Sequence, residues 1–139
     1  CNLTIEPNLF IKTLTMKAIT RFFLFAFFLL PISLAAQSLA GTWKMEVPDG
    51  NGGMMTITAN IAEDGTYALD WGADGSVEVK GKYEAKDGQM TIWDIEGSDC
   101  TGKGVYKYAI SGNTMTMTRV SDACTDRGGP EGVMTMQRG

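Results

Sequence analysis

The sequence contains no histidine among its 139 residues, and this absence limits the chemistry that the chain can perform. Without imidazole there is no Ser-His-Asp or Cys-His activation of a nucleophile, no common zinc site and no proton shuttle near neutral pH. The sequence also lacks a Gly-rich phosphate loop that ends in Lys and Ser or Thr, and it lacks a dinucleotide-binding fingerprint. We therefore expect a protein that is not an enzyme and that uses no cofactor.

Of the three cysteines, Cys100 and Cys124 remain in the part of the chain that we expect to be mature, and they are 24 positions apart. In an exported protein an even number of cysteines favours a disulfide, whereas the same two cysteines in the cytosol would stay reduced. Chain-entropy arguments give such a bond about 3 kcal/mol of stabilisation. Since the chain also carries the export pattern described below, we predict a Cys100–Cys124 disulfide.

Two further residue sets could hold a metal ion, but neither has the pattern that a metal site requires. Met-Thr-Met segments at 115–117 and 134–136 offer thioethers, which suit Cu(I). Without histidine or a free thiolate nearby, these flexible side chains are better interpreted as core packing. The acidic residues Asp94, Glu96 and Asp99 lack the ligand spacing of a calcium loop, and we interpret them as a solvated rim. The sequence therefore predicts no metal site.

The N-terminal part of the chain has the pattern of a secretory signal peptide. Residues 22–36 form an apolar run that Lys17 and Arg21 precede and that small residues end. A positive region, an apolar region and small residues before a cleavage point are typical of such signals. The run is shorter than the ~20 residues that cross a bilayer, and Pro31 interrupts it. We therefore expect the segment to be removed, with no stable membrane insertion after processing.

Met16 stands where such a signal should begin, which divides the chain into three parts. We interpret residues 1–15 as an upstream segment outside the native protein, 16–36 as the signal peptide and 37–139 as the mature domain. Cleavage would leave Gln37 or Ala36 first, and neither is the cysteine that lipid attachment requires. We expect an exported protein, either periplasmic or extracellular.

The mature part is acidic, with nine Lys or Arg against fifteen Asp or Glu and thus a formal net charge of −6. A domain with this balance and no basic stripe repels phosphate backbones. Nucleic acid is therefore an unsuitable partner.

The mature chain alternates apolar and polar residues and shows no helical period, which predicts an all-β fold. Apolar faces identify eight strands. The pattern in the fifth changes phase at Trp93 and Ile95, which indicates a bulge. The strands are Leu39–Val47, Met54–Ile61, a third with Tyr67, Leu69 and Trp71, a fourth with Val77, Val79, Gly81 and Tyr83, Gln89–Ile95, a sixth with Tyr106, Tyr108 and Ile110, a seventh with Met115 and Met117, and an eighth with Met134 and Met136.

The connections between these strands alternate in length. Segments 63–65, 86–88 and 111–113 each place Gly among Asp, Lys, Ser or Asn, as tight hairpins require, whereas the alternate connections are longer on average. An even-numbered meander can close on itself and so remove its exposed edges. The sequence therefore predicts an eight-stranded antiparallel up-and-down barrel with one tight end and one loop-rich mouth.

Several segments resemble a known family. Leu39-Ala40-Gly41-Thr42-Trp43 looks like the Gly-x-Trp signature of lipocalins and fatty-acid-binding proteins. The segments 104–108, 111–117 and 122–127 are similar to short bacterial lipocalin-like domains, so the resemblance covers the mature part and implies a calycin-type barrel. The chain is shorter than a typical lipocalin, has no helix after the barrel and lacks the Thr-Asp-Tyr motif, and these departures argue against a large cavity.

The resemblance and the strand order agree on a structural cluster at the tight end. In the family, the signature Trp packs beneath an Arg from the last strand. Here Trp43 lies near the start of strand one and Arg138 at the end of strand eight, which closure makes neighbours. A guanidinium over an indole is worth about 0.5–2 kcal/mol. We assign Gly41, Trp43 and Arg138 a structural role.

Strand directions also predict a binding site near the mouth. Inward side chains there are apolar or aromatic except Arg119, and such a cup with one cation suits a hydrocarbon body with an anionic head, such as a fatty acid. In the alternative interpretation, Arg119 extends to water or pairs with a rim carboxylate such as Asp122. The predicted ligand-binding residues are Met55, Trp71, Tyr106, Met117, Arg119 and Met134.

Two functions follow from this fold. The first is binding of a small hydrophobic or amphipathic molecule inside the barrel. The alternative is a macromolecule-binding or inhibitor-type envelope module that uses the mouth loops around a packed interior. The presence of an interior cavity would favour the first function, and a filled interior would favour the second.

Overall fold

A computed structural model describes residues 37–139, which form eight β-strands. Each strand pairs antiparallel with the next, and β8 returns to β1, so the sheet closes into an up-and-down barrel. The predicted fold class is confirmed, whereas the predicted upstream segment and signal peptide lie outside the described residues. The strands are β1 (Gly41–Pro48), β2 (Met54–Ile61), β3 (Thr66–Trp71), β4 (Val79–Lys86), β5 (Gln89–Glu96), β6 (Gly104–Ser111), β7 (Thr114–Ser121) and β8 (Val133–Arg138).

The two ends of the barrel differ as the turn chemistry predicts. Three short turns make the closed end, and two of them, 87–88 and 112–113, are two-residue hairpins. The other end, which we call the mouth, carries four longer loops at 49–53, 72–78, 97–103 and 122–132. No helix among the described residues is long and apolar enough to span a membrane.

The fourth strand begins later than predicted because the loop before it has its own hydrogen bonds. The apolar pattern places Val77 in the fourth strand, but β4 begins at Val79 and Val77 is 48% exposed. The Asp70 carboxylate accepts the N–H groups of Asp74 (3.1 Å) and Gly75 (2.9 Å) and thereby fixes the 72–78 loop. These hydrogen bonds compete with strand pairing, so β4 begins only at Val79.

The predicted bulge in β5 is present, but it lies further along the strand. The register between β4 and β5 shifts between Lys80 and Gly81, which leaves Ile95 as the extra residue. The inward phase of the strand therefore continues to Asp94, which is 7% exposed, and Ile95 is 52% exposed. The predicted position of the phase change, at Trp93, is wrong, since the phase changes after Asp94.

The closed end is sealed by the predicted pair of Trp43 and Arg138. Trp43 is fully buried, and the Arg138 guanidinium carbon lies 4.2 Å from the centre of its ring. The indole N–H donates to the carbonyl of Leu39 (2.9 Å), and Arg138 donates to the carbonyl of Ser38 (2.7 Å). These contacts fasten the segment before β1 across the base of the barrel.

The core above this base is rich in methionine, as the core-packing interpretation predicts. Four methionines are among its buried residues, where their flexible chains fill an irregular interior. The buried cluster consists of Trp43, Ala59, Met90, Ile92, Tyr106, Met115, Met117 and Met136.

Candidate functional site

The barrel interior contains a cavity of about 210 Å³ between the core and the mouth loops. Its walls come from the inward faces of the strands, since alternate residues of each strand point into the barrel. Ala59, Leu69 and Val79 face it from β2, β3 and β4, and Met117 and Met134 face it from β7 and β8. The wall is therefore largely aliphatic, as in sites that bind apolar groups.

The mouth side of this cavity is polar. Ser98 and Cys100 reach it from the 97–103 loop, Asp126 and Arg127 reach it from the 122–132 loop, and Asp94 enters from β5. The cavity thus has apolar strand walls and a polar cover. Such an arrangement can orient a ligand that has one apolar and one polar end.

Arg127 holds the polar cover together. Its guanidinium donates to Asp122 (3.2 Å) and to the carbonyls of Gly102 (3.0 Å) and Cys100. It also lies 3.6 Å from the Asp94 carboxylate. The side chain of Arg127 is only 11% exposed, so it links the 97–103 and 122–132 loops to the bulged end of β5 from inside the barrel.

The two carboxylates beside Arg127 have different surroundings. The side chain of Asp122 is fully buried and accepts hydrogen bonds from Tyr106 O–H (2.6 Å), from Cys124 N–H (2.8 Å) and from Arg127. Asp94 accepts a hydrogen bond only from the Tyr67 hydroxyl, and its second oxygen has no hydrogen bond among the described residues. Asp94 therefore has unused acceptor capacity beside the cavity.

Both tyrosines of this network remain protonated over a wide pH range. Burial and the hydrogen bond to Asp122 raise the pKa of Tyr106 to about 12. Burial and the hydrogen bond to Asp94 likewise raise the pKa of Tyr67 well above its usual value. Each phenol acts as a fixed donor to one carboxylate.

Gly81 makes room for the Tyr67 ring, because a Cβ at this position would lie 2.1 Å from Tyr67 Cζ.

Cys100 and Cys124 lie at disulfide distance, as predicted, and this pair joins the two loops that form the cover. The Cα atoms of the cysteines are 5.7 Å apart, within the range of bonded pairs. Cys100 lies in the 97–103 loop and Cys124 in the 122–132 loop, on either side of Arg127. The bond therefore restrains the loops that carry the polar end of the cavity.

Arg119, the predicted cation of the binding site, serves the mouth loop instead. Its Nη2 donates to the carbonyls of Thr125 (3.0 Å), Arg127 and Gly129 (2.9 Å), all in the 122–132 loop. It does not line the cavity, and Asp122, its predicted alternative partner, pairs with Arg127. The cation that reaches the cavity is therefore Arg127.

The structure brings three of the six predicted ligand-binding residues to the cavity. Trp71, Met117 and Met134 line it, with Trp71 45% exposed at the mouth. Tyr106 is fully buried beneath the cover, where it supports Asp122. Met55 is partly buried on β2 and, like Tyr106, does not line the cavity. Whether the three lining residues contact a ligand stays a prediction.

Sequence reasoning missed Asp94 and Arg127. Asp94 was assigned to a solvated rim because its spacing from Glu96 and Asp99 does not match a calcium loop, but the residue is 7% exposed and faces the cavity. Arg127 follows Cys124 by three positions and ends the 122–127 segment of the resemblance, but neither feature indicates that its side chain is buried. Burial of a cation between two carboxylates depends on loop packing, which alternation along a strand does not reveal.

Among the described residues, no three Cys, Asp or Glu side chains converge as metal ligands. Comparison of the chain with protein-family models, curated proteins and solved structures gives no match. The described residues form a closed antiparallel barrel with a calycin-like arrangement of strands.

Proposed function

We propose that this protein is an exported, lipocalin-like binder of a small hydrophobic or amphipathic molecule, which it holds inside the barrel without catalysing a reaction. The observation that carries the proposal is the cavity of about 210 Å³ with aliphatic walls and a polar cover. The strand order of the closed barrel and the Gly-x-Trp residues at its base support the lipocalin-like assignment.

The cavity volume favours a small ligand. An engineered cavity of about 150 Å³ lined by aliphatic and aromatic side chains holds benzene, whereas ordinary ligand pockets span about 300–1,000 Å³. At about 210 Å³ the cavity lies between these values. A single ring with a short substituent matches it better than a long-chain fatty acid does.

The alternative function, a macromolecule-binding module, depended on a packed interior. The cavity therefore supports the small-molecule proposal over this alternative. The formal charge of −6 in residues 37–139 argues against nucleic acid as a partner.

Export is supported by the disulfide geometry and by the signal-like N-terminal pattern. Disulfides form and persist in oxidising compartments, and the Cα atoms of the two cysteines are 5.7 Å apart. N-terminal sequencing of the protein recovered from outside the cytoplasm should give Gln37 or Ala36. A recovered form that retains residues 22–36 would contradict removal of the signal.

Calorimetric titration with 2-phenylethanol tests the binding proposal, because this neutral molecule has one ring and one short polar arm. We expect it to bind the parent and to lose measurable binding in Ala59→Leu, since Ala59 lines the cavity and is 6% exposed. Val79→Phe fills the same space from β4 and provides a second blocking variant.

The matched control is Ala109→Leu, which adds the same atoms at an exposed position on β6. Near-ultraviolet circular dichroism should show that each variant retains its tertiary packing. The proposal fails if the parent does not bind the compound, or if both blocking variants fold and bind it as the control does.

A further inference from the structure

We infer that the ligand of this cavity is a small amphipathic cation, an amine with an apolar body, whose charged end lies against Asp94. The inference rests on the proposed function and specifies the chemical class of its ligand. Three properties of the described residues support it: the unused acceptor capacity of Asp94, the commitment of Arg127 to protein acceptors, and the charge of the mouth.

Asp94 is a buried carboxylate that pairs with Arg127 but accepts only one hydrogen bond among the described residues. Its side chain is 8% exposed and lines the cavity, yet among the described residues only Tyr67 donates a hydrogen bond to it. The nearest guanidinium nitrogen of Arg127, at 3.6 Å, is too distant for a hydrogen bond. The second carboxylate oxygen of Asp94 can therefore still accept a hydrogen bond, and an ammonium group supplies three donors.

Arg127 is poorly placed to bind an anionic ligand. Its Nη1 and Nη2 groups donate to Asp122, Gly102 and Cys100. Its Nε has no hydrogen-bond partner among the described residues, but this atom has almost no accessible surface. A ligand carboxylate would therefore need to displace existing partners of Arg127 and would also face Asp94.

The charges around the cavity favour a cation as well. The charged residues that line it are Asp94, Asp126 and Arg127, with a formal sum of −1. The four mouth loops together carry seven Asp or Glu and two Lys or Arg. An excess of negative charge around a low-dielectric site favours the approach of cations over anions.

Three compounds of similar size separate the possible head groups: phenethylamine is cationic, 2-phenylethanol is neutral and phenylacetate is anionic near neutral pH. A charge-assisted hydrogen bond to a buried group adds enough affinity that phenethylamine should bind roughly tenfold or more tightly than 2-phenylethanol. Phenylacetate should bind more weakly than both.

Asp94→Asn should remove most of the advantage of phenethylamine while leaving the affinity for 2-phenylethanol within about twofold. Glu84→Gln is the matched control, because it removes an exposed carboxylate from β4 and should leave the ratio unchanged. Tyr67→Phe removes the hydrogen bond that Asp94 now accepts, and it should preserve or increase the preference for the amine.

The outcomes distinguish this inference from the proposed function. If 2-phenylethanol binds but phenethylamine binds no more tightly, the cavity binds ligands and the cationic class is wrong. If Asp94→Asn folds and keeps the parent ratio, Asp94 is not the recognition group. If none of the three compounds binds the parent, the proposed function itself fails. The order of affinities in the parent decides the ligand class even where Asp94→Asn does not fold.

Discussion

At the scale of single residues, the mouth depends on Arg127 more than on any group that the sequence pattern identified. The residue lies between Asp94 and Asp122 with 11% of its side chain exposed, and it also binds carbonyls from the opposite loop. A buried ion pair of this kind adds little net stability over an apolar substitute. Removing only one partner is costly, because the others are left buried without compensation.

Arg127→Ala should therefore lower the free energy of unfolding by roughly 3–5 kcal/mol. The comparison is Lys80→Ala, which breaks the exposed ion pair with Glu96 and should cost no more than about 1 kcal/mol. Urea unfolding of both variants measures the difference. Equal losses would mean that the buried network does not restrain the mouth.

The raised pKa of Tyr106 predicts that the protein loses stability at high pH. Burial and the bond to Asp122 raise its pKa from 10.0 to about 12, so the folded protein keeps a proton that the unfolded chain releases. The stability that the neutral phenol contributes is fully present below pH 10 and is lost between pH 10 and about 12.

Unfolding free energies measured across this interval should fall more steeply for the parent than for Tyr106→Phe, which has no hydroxyl to ionise. Below pH 10 the Tyr106 phenol is neutral in both the folded and the unfolded parent. The unfolding free energy of each protein in that range is therefore the reference for its own curve. Parallel curves for the two proteins would contradict the raised pKa.

At the scale of elements, the alternation of apolar residues predicted eight strands, and the short hairpin turns between them predicted their order around the barrel. The start of β4 could not be predicted this way, since Asp70 fixes the preceding loop through backbone N–H groups that the pattern does not show. The position of the bulge was also misjudged, because an apolar residue was assumed to face inward at Ile95. Asp94 occupies the inward position instead, and its burial depends on Tyr67 and Arg127 from elsewhere in the chain.

The first strand begins at a glycine whose geometry fits the closed end. Gly41 has a φ of +138°, and a Cβ there would lie 2.7 Å from the Arg138 guanidinium that covers Trp43. Gly41→Ala should therefore cost about 1–3 kcal/mol through backbone strain and displacement of Arg138. Gly52→Ala is the control, since Gly52 also has a positive φ but has open space around it.

A double-mutant cycle separates the two causes. In an Arg138→Ala background, Gly41→Ala should destabilise less than in the parent, because the guanidinium no longer opposes the added methyl group. Urea midpoints supply the four free energies. A cost that is the same in both backgrounds would show that Arg138 does not restrict position 41.

At the scale of the whole molecule, closure of the barrel brings together residues that are distant in sequence. Ala59, Met117 and Met134 become facing walls of one cavity, while the Cys100–Cys124 bond holds loops over its polar end. The sequence predicted the apolar walls and the disulfide. It did not predict the cavity volume, which depends on how Met and Tyr side chains fill the interior.

The central claim is that a ligand enters this cavity, and NMR of isotope-labelled methionine methyl groups tests it most directly. Met117 and Met134 line the cavity, Met115 is fully buried outside it, and Met54 is 61% exposed. Titration with 2-phenylethanol should shift the methyl signals of Met117 and Met134 in a saturable way and leave those of Met54 and Met115 nearly unchanged. Unchanged signals from Met117 and Met134, or equal shifts at Met54, would contradict binding inside the barrel.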